Sequence, residues 1–352
     1  MATLTRRRFL RLLAASAGAI ALAGAAGCQI GVQQVFSTPT PRSSPPIASS
    51  SQLGELIVKG TPGPLTIPLA RATQSEQLRA LVKQVTFSTW KTPDQLRADI
   101  TSGKLHIATG TSNVAANLYR RGVGVQLFSV TLVQGMFSVM TLDQGINGWG
   151  DLKGRKLALA YRGDMPDLIF RILAKANGLN PDADFQMQYT STPAETMQVL
   201  LAQRVEVAMV AEPQSTAAEV QESGLTVRRI INLTDEWGKL DGTSPRVPMA
   251  GTLVVASIAN SSPNVVVAME KALIEATTWT NQNPAEAAKI GAERLGLEAP
   301  VLEKSLAHLR LEAQSAVEAR QELESFLSRL KELSPDIIGG DLPDDGFYFK
   351  GR

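Results

Sequence analysis

Short apolar runs alternate with capped, polar-faced segments through most of this chain. Residues 65–70 form one such run. They precede Thr73-Gln74-Ser75-Glu76, a capping box whose hydroxyl and carboxylate satisfy the free amides of a first helical turn, so strand then helix is expected here. Residues 85–90 repeat the arrangement ahead of Thr92-Pro93-Asp94-Gln95, where proline at the first helical position gives up no hydrogen bond. Residues 105–108 predict a third strand, closed by Thr109-Gly110-Thr111-Ser112-Asn113 before a helix over 114–121, and residues 125–130 predict a fourth. Strands spaced by helices in this way imply parallel sheet and right-handed crossovers, hence an α/β fold.

A second series begins after residue 154. Residues 156–160 predict a strand leading to Asp164-Met165-Pro166-Asp167 and a helix to Asn177, with Gly178 as its left-handed terminator. A strand near 186–189, the capping box Thr192-Pro193-Ala194-Glu195, a helix to Gln203, a strand over 205–210, a helix over 213–223 and an apolar run over 225–231 complete it. A loop rich in Gly, Asp and Pro then precedes an extended apolar run over 249–258. Residues 262–333 are expected to be helical throughout, with Pro263, Pro284 and Pro300 near helix starts. Val317, Leu323, Phe326, Leu327, Leu330 and Leu333 form an apolar stripe that is expected to pack on the first half.

The start of the chain differs from all this. Thr5-Arg6-Arg7-Arg8-Phe9-Leu10-Arg11 precedes an apolar run over 12–27 that is too short and too rich in Ala and Gly for a comfortable membrane span, and it is expected to be a signal peptide. The order resembles the twin-arginine export motif, and Ala25-Ala26-Gly27-Cys28 resembles a lipobox, in which the cysteine thiol takes a diacylglycerol and anchors the chain. The alternative is ordinary cleavage after Ala23-Gly24-Ala25, with Cys28 an incidental thiol. Residues 37–51 hold six Ser, four Pro and two Thr, the composition of a tether.

Charge narrows the function classes. Removing the four leader arginines from the formal net charge of +2 leaves the remainder at −2, which removes the case for a nucleic-acid binder. A single cysteine allows no internal disulfide, and with only His106 and His308 no usual zinc cluster can form. No paired-carboxylate, Gly-x-Ser-x-Gly or metal-ligand signature appears, so neither an enzyme nor a cofactor is expected.

Several segments in order carry a family resemblance: Asp94-Gln95-Leu96, Thr101 to Gly110, Arg121-Gly122-Val123, Gly135 to Met140, Trp149 to Ala158 with its Asp151-Leu152-Lys153-Gly154, Glu212-Pro213, and Leu342 to Phe347. The set resembles substrate-binding proteins of ABC importers, in the nitrate, sulfonate and taurine branch that also holds thiamine-precursor binders. The resemblance implies a two-lobed type II periplasmic-binding-protein fold, each lobe a mostly parallel sheet flanked by helices. The expected division is a leader (1–28), a tether (29–52), lobe one (53–144 with 249–352) and lobe two (145–248), joined by crossing strands near 136–142 and 248–256. It further implies an extracytoplasmic monomer that captures a small polar, in particular anionic, solute such as a sulfonate or nitrate. The implied partners are an ABC permease with its ATPase and the membrane through the lipid anchor. A solute-binding sensor partner is the alternative. A pyrimidine-synthase-like enzyme is less favoured, because this chain lacks that enzyme's cysteine-rich motif.

Helix N-termini hold small anions through free amides and the helix dipole. Two strand-to-helix turns offer that geometry: Gly110, Thr111, Ser112 and Asn113 in one half, and Arg162, Gly163 and Asp164 in the other, with Arg162 able to clamp an oxyanion bidentately. Glu212 would accept a ligand amine, and Arg71 and Gln134 complete the candidate ligand residues. Each has a structural reading too. Thr111, Ser112 and Asn113 would serve as helix caps, Arg162 as a surface charge or a partner of Asp164, Glu212 as a turn residue and Arg71 as surface. His106, Trp90 and Trp149 are expected to be structural.

Overall fold

The computed structural model describes residues 52–221, 224–242 and 245–351. The expected leader, Cys28 and nearly all of the tether lie outside the described residues.

The first series forms β1 (Leu53–Gly60), α1 (Thr66–Ala72), α2 (Glu76–Leu81), β2 (Val82–Thr89), α3 (Pro93–Thr101), β3 (Ile107–Thr111), α4 (Ser112–Arg120) and β4 (Val125–Gln134). The second forms β5 (Phe137–Thr141), β6 (Lys156–Ala160), α5 (Met165–Ala176), β7 (Gln186–Thr190), α6 (Pro193–Leu201), β8 (Val207–Ala211), α7 (Gln214–Val220), β9 (Arg228–Asn232) and α8 (Leu233–Asp241). The chain then returns through β10 (Val247–Val255), α9 (Ala256–Ser261), α10 (Pro263–Gln282), α11 (Pro284–Leu295), α12 (Ala299–His308), β11 (Arg310–Ser315) and α13 (Arg320–Leu333).

Two sheets result, in the orders β11-β4-β10-β3-β1-β2 and β7-β6-β8-β5-β9. Strands fed by helical crossovers within a half are parallel: β1 with β2 and β3, and β6 with β7 and β8. The strands next to a crossing between halves run the other way. β10 is antiparallel to β3 and β4, and β5 is antiparallel to β8 and β9, so both sheets are mixed. The first passage between sheets is Gly135-Met136, ahead of the expected boundary at Gln144, because β5 is hydrogen-bonded into the second sheet. The second passage runs through α8 to β10, where a loop was expected. The signals for α8 are present. Asn232 accepts the Thr234 and Asp235 amides, Asp235 and Glu236 lie in the first turn, and Gly242 ends the helix at φ 62°.

Four further expectations are corrected. Residues 66–72 are helical, since Pro68 falls in the first turn where its missing N–H is not needed; seven residues are too few to display a helical period. The cap of α2 is Ser75 rather than Thr73. Within the tail, β11 is an edge strand on β4, and Val317 is exposed, outside the buried stripe Leu323, Phe326, Leu327 and Leu330. That stripe packs on α4 and β10 of the first half and on α5 of the second, with Phe326 edge-on to Trp237 at 5.3 Å, so α13 spans both halves.

Glu270 on α10 is half-buried near Glu318. Burial first, and then the Glu318 charge, push its carboxyl up to about 7. The folded state therefore holds this proton more tightly than the unfolded chain does, and the group costs stability as pH rises from about 4.5 to about 7. Glu270→Gln is expected to stabilise the protein by ~1 kcal/mol at pH 8, after allowance for solvent screening, and to change nothing at pH 4. Thermal melts of both proteins at the two pH values check this, and an equal shift at both would refute it.

Candidate functional site

The C-terminal ends of β1, β3, β6 and β8 point toward one another, the position where open α/β sheets place their ligands. Between them lies a cavity of about 110 Å³. The first half contributes Thr61 to Leu65, Trp90, Pro93, Gly110, Thr111, Met249 and Ala250. The second contributes Phe137, Tyr161, Asp164 to Pro166, Pro193, Ala211, Glu212 and Gln214, with Met136 at the passage between them. Most of this lining is apolar, and among the described residues no Arg, Lys or His belongs to it.

Two carboxylates line the cavity. Asp164, almost wholly buried, is the N-cap of α5. Its Oδ1 accepts the Met165 amide at 2.9 Å and the Thr111 hydroxyl at 3.4 Å, and its Oδ2 meets Arg97 Nη2 at 2.8 Å. Arg97 and Thr111 belong to the first half and Asp164 to the second, so these bonds bridge the two across the cavity. Arg97 also binds Asp94 at 3.0 Å.

Glu212 follows β8, and its side chain is fully buried. Its Oε1 lies 2.6 Å from Arg229 Nη1, a close ion pair whose angle falls outside hydrogen bonding; no hydrogen-bond donor reaches Oε2. Arg229 also binds Glu219 Oε1 (2.8 Å), the Thr216 hydroxyl (2.8 Å) and the Ser138 hydroxyl (3.2 Å). Burial works against its charge, but Glu219 and Glu212 outweigh that and hold its pKa above the ordinary arginine value.

Tyr161 carries the chain from β6 into the turn at φ 62°, a left-handed conformation that costs a non-glycine residue about 1 kcal/mol. Hydrogen bonds on either side, Tyr161 N–H to Thr190 O and Asp164 N–H to Tyr161 O, hold it there. Burial, and then the Asp164 charge, push its phenol up to about 12, so it remains a neutral O–H at physiological pH.

Of the residues singled out from sequence, Gly110, Thr111, Asp164 and Glu212 line the cavity. Gly110 lies where a Cβ would meet Leu96 at 2.7 Å. Ser112 and Asn113 are buried beside it but outside the lining. Ser112 donates to Pro248 O at 2.8 Å, and Asn113 Oδ1 has no hydrogen-bond partner. Arg162 is exposed, 5.2 Å over the Tyr189 ring, and Gly163 is exposed with its N–H on Asp167. Arg71 stacks on Trp279 at 3.5 Å. Gln134 lies in a separate polar depression with Arg246, Arg310 and Glu312. His106 Nδ1 accepts the Ile57 amide, a structural role as expected, and burial lowers its pKa. Trp149 packs on Phe170 and bonds Glu236. Trp90 both packs and lines the cavity, its indole N–H spent on Thr109 O at 2.8 Å.

The lining residues that sequence reasoning missed include the 61–65 loop, Met136, Phe137, Tyr161, Met165, Gln214, Met249 and Ala250. The Thr61-Pro62-Gly63-Pro64 turn was the available signal for the first of these.

Two mixed sheets hinged by two passages, with a cavity between their strand ends, define a two-lobed binding-protein fold of the periplasmic type II class. Solved structures share it. An ABC transporter protein from Parabacteroides distasonis matches at a TM-score of 0.70 and 23% identity over 84% of this chain and 99% of its own. The periplasmic aliphatic sulphonate binding protein SsuA from Escherichia coli matches at 0.63 and 18%, over 81% and 95%. The periplasmic nitrate-binding protein NrtA from Synechocystis PCC 6803 matches at 0.63 and 14%, over 81% and 84%. No curated protein matches the sequence significantly. The profile of the NMT1-like family matches residues 100–296, more than half of the chain, and the chain belongs to that family.

Proposed function

We propose that this protein is the solute-binding component of an ABC importer, working outside the cytoplasm and delivering a small molecule from its interlobe cavity to a permease. The observation that carries the reading is the cavity itself, walled by both lobes and spanned by the Arg97–Asp164 ion pair, so that a solute bound there contacts both halves. Closure about the two passages then couples binding to a change of shape. The SsuA and NrtA resemblances support the same reading. The export motif and the lipobox-like Ala25-Ala26-Gly27-Cys28 support export and anchoring to a membrane through Cys28.

The test is titration of the folded protein with candidate solutes, followed by tryptophan fluorescence, since Trp90 lines the cavity, and by small-angle scattering. One solute per chain, a smaller radius of gyration on binding and recovery of the solute chemically unchanged are expected. Turnover of the bound compound, or binding with no change of shape, would reject the proposal.

A further inference from the structure

We infer that the cavity recognises a small, largely apolar organic amine and discriminates against anions. This rests on the solute-receptor reading above and deepens it.

In the second lobe, the groups that would hold an anion are already engaged. At the start of α5, the Met165 amide is bound by Asp164 and the Gly163 amide by Asp167, so two carboxylates occupy the place where an oxyanion would sit. Among the described residues no basic side chain lines the cavity, and Arg162 lies outside it on Tyr189. An anion entering here would meet Asp164 and Glu212 with no available cation.

The groups that would hold an amine are present. Glu212 lines the cavity and is fully buried, and neither carboxylate oxygen is hydrogen-bonded: Oε1 has only the Arg229 ion pair and Oε2 has no donor among the described residues. Buried carboxylate oxygens take hydrogen bonds wherever they can, and an N–H of a bound solute is the donor the cavity lacks. Charge favours a cation as well. Arg229 is shared between Glu212 and Glu219, and Arg97 between Asp164 and Asp94, so each cluster carries one more carboxylate than guanidinium. Trp90, Phe137 and Tyr161 add ring faces, which attract ammonium groups, and Met136 and Met249 add apolar surface. A volume of about 110 Å³, below the roughly 150 Å³ of a cavity that accepts benzene, limits the body of the solute to one small ring at most.

The experiment compares isosteric probes on the intact protein: cyclohexylamine, cyclohexanol, cyclohexanecarboxylate and cyclohexanesulfonate, by isothermal titration calorimetry and small-angle scattering. The amine is expected to bind at least tenfold more tightly than the other three. Glu212→Gln, with its fold checked by circular dichroism, is expected to lose at least tenfold in amine affinity. Trp90→Ala tests that the binding is in this cavity. The wild-type panel decides the matter on its own should Glu212→Gln misfold. Absence of amine binding, or a carboxylate or sulfonate that binds as tightly, overturns the inference. An anion that binds and closes the lobes leaves the receptor reading standing while this inference falls. Amine binding that is indifferent to Trp90→Ala and leaves the scattering unchanged counts against both.

Discussion

Arg229→Met is expected to lower the stability of this protein by about 3 to 5 kcal/mol, the cost of leaving a buried carboxylate without its partner. Arg229 sits on β9, one-fifth exposed, and its guanidinium touches Glu212, Glu219, Thr216 and Ser138. Glu219 is partly exposed and can turn to water, but Glu212 is fully buried and cannot. Methionine fills most of the aliphatic volume, so the loss measured is mainly electrostatic. The double substitution Glu212→Leu with Arg229→Met removes both charges and is expected to recover a large part of the deficit, since buried ion pairs exchanged for apolar groups of similar volume are often near neutral. Urea unfolding of the two singles and the double gives the coupling. A loss below about 1 kcal/mol for Arg229→Met, or a double as unstable as the single, would show that Glu212 finds compensation elsewhere.

The order of strands and helices was legible where local chemistry is strong. Thr92, Asp164 and Thr192 each cap the helix expected of them, and β6 has the predicted bounds, because side-chain capping and apolar runs act over a few residues. Strand direction was less legible. Whether β5 and β10 run parallel or antiparallel depends on which sheet they join, and pairing between strands so far apart in the sequence leaves no local trace; β11 was missed for the same reason. The site divided along this line as well. Gly110, Thr111, Asp164 and Glu212 stand at strand ends, where the fold class directs attention, and they line the cavity. Arg162 and Arg71 were chosen for their charge, but Arg162 turns onto Tyr189 and Arg71 stacks on Trp279. An aromatic face nearby offers a guanidinium a partner that a motif does not reveal. Met136, Phe137 and Met249 were expected only as parts of the crossing strands, and nothing local marks them as cavity wall, since an apolar cavity wall and an apolar core have the same composition.

Gly135→Ala is expected to cost about 2 to 4 kcal/mol and to lower the melting temperature by roughly 5 to 10 °C. Gly135 forms the first passage between lobes with φ at 83°, where any side chain is strained. A Cβ there would fall 1.9 Å from His308 O and 3.0 Å from His308 C. Those are backbone atoms at the junction of α12 and β11, so no rotamer change relieves the contact and the segments must separate. Gly135 N–H also donates to the Thr234 hydroxyl at 2.8 Å, and Thr234 opens α8, the second passage. The two passages are thus bonded to each other, and displacing one displaces the other. Solute affinity is therefore expected to fall together with stability in Gly135→Ala, whereas Gly54→Ala, at a strand position with open space around its Cβ, should change neither. Differential scanning calorimetry and solute titration on the two variants give the comparison, and a Gly135→Ala protein that melts with the wild type would show that the hinge backbone yields more easily than close packing allows.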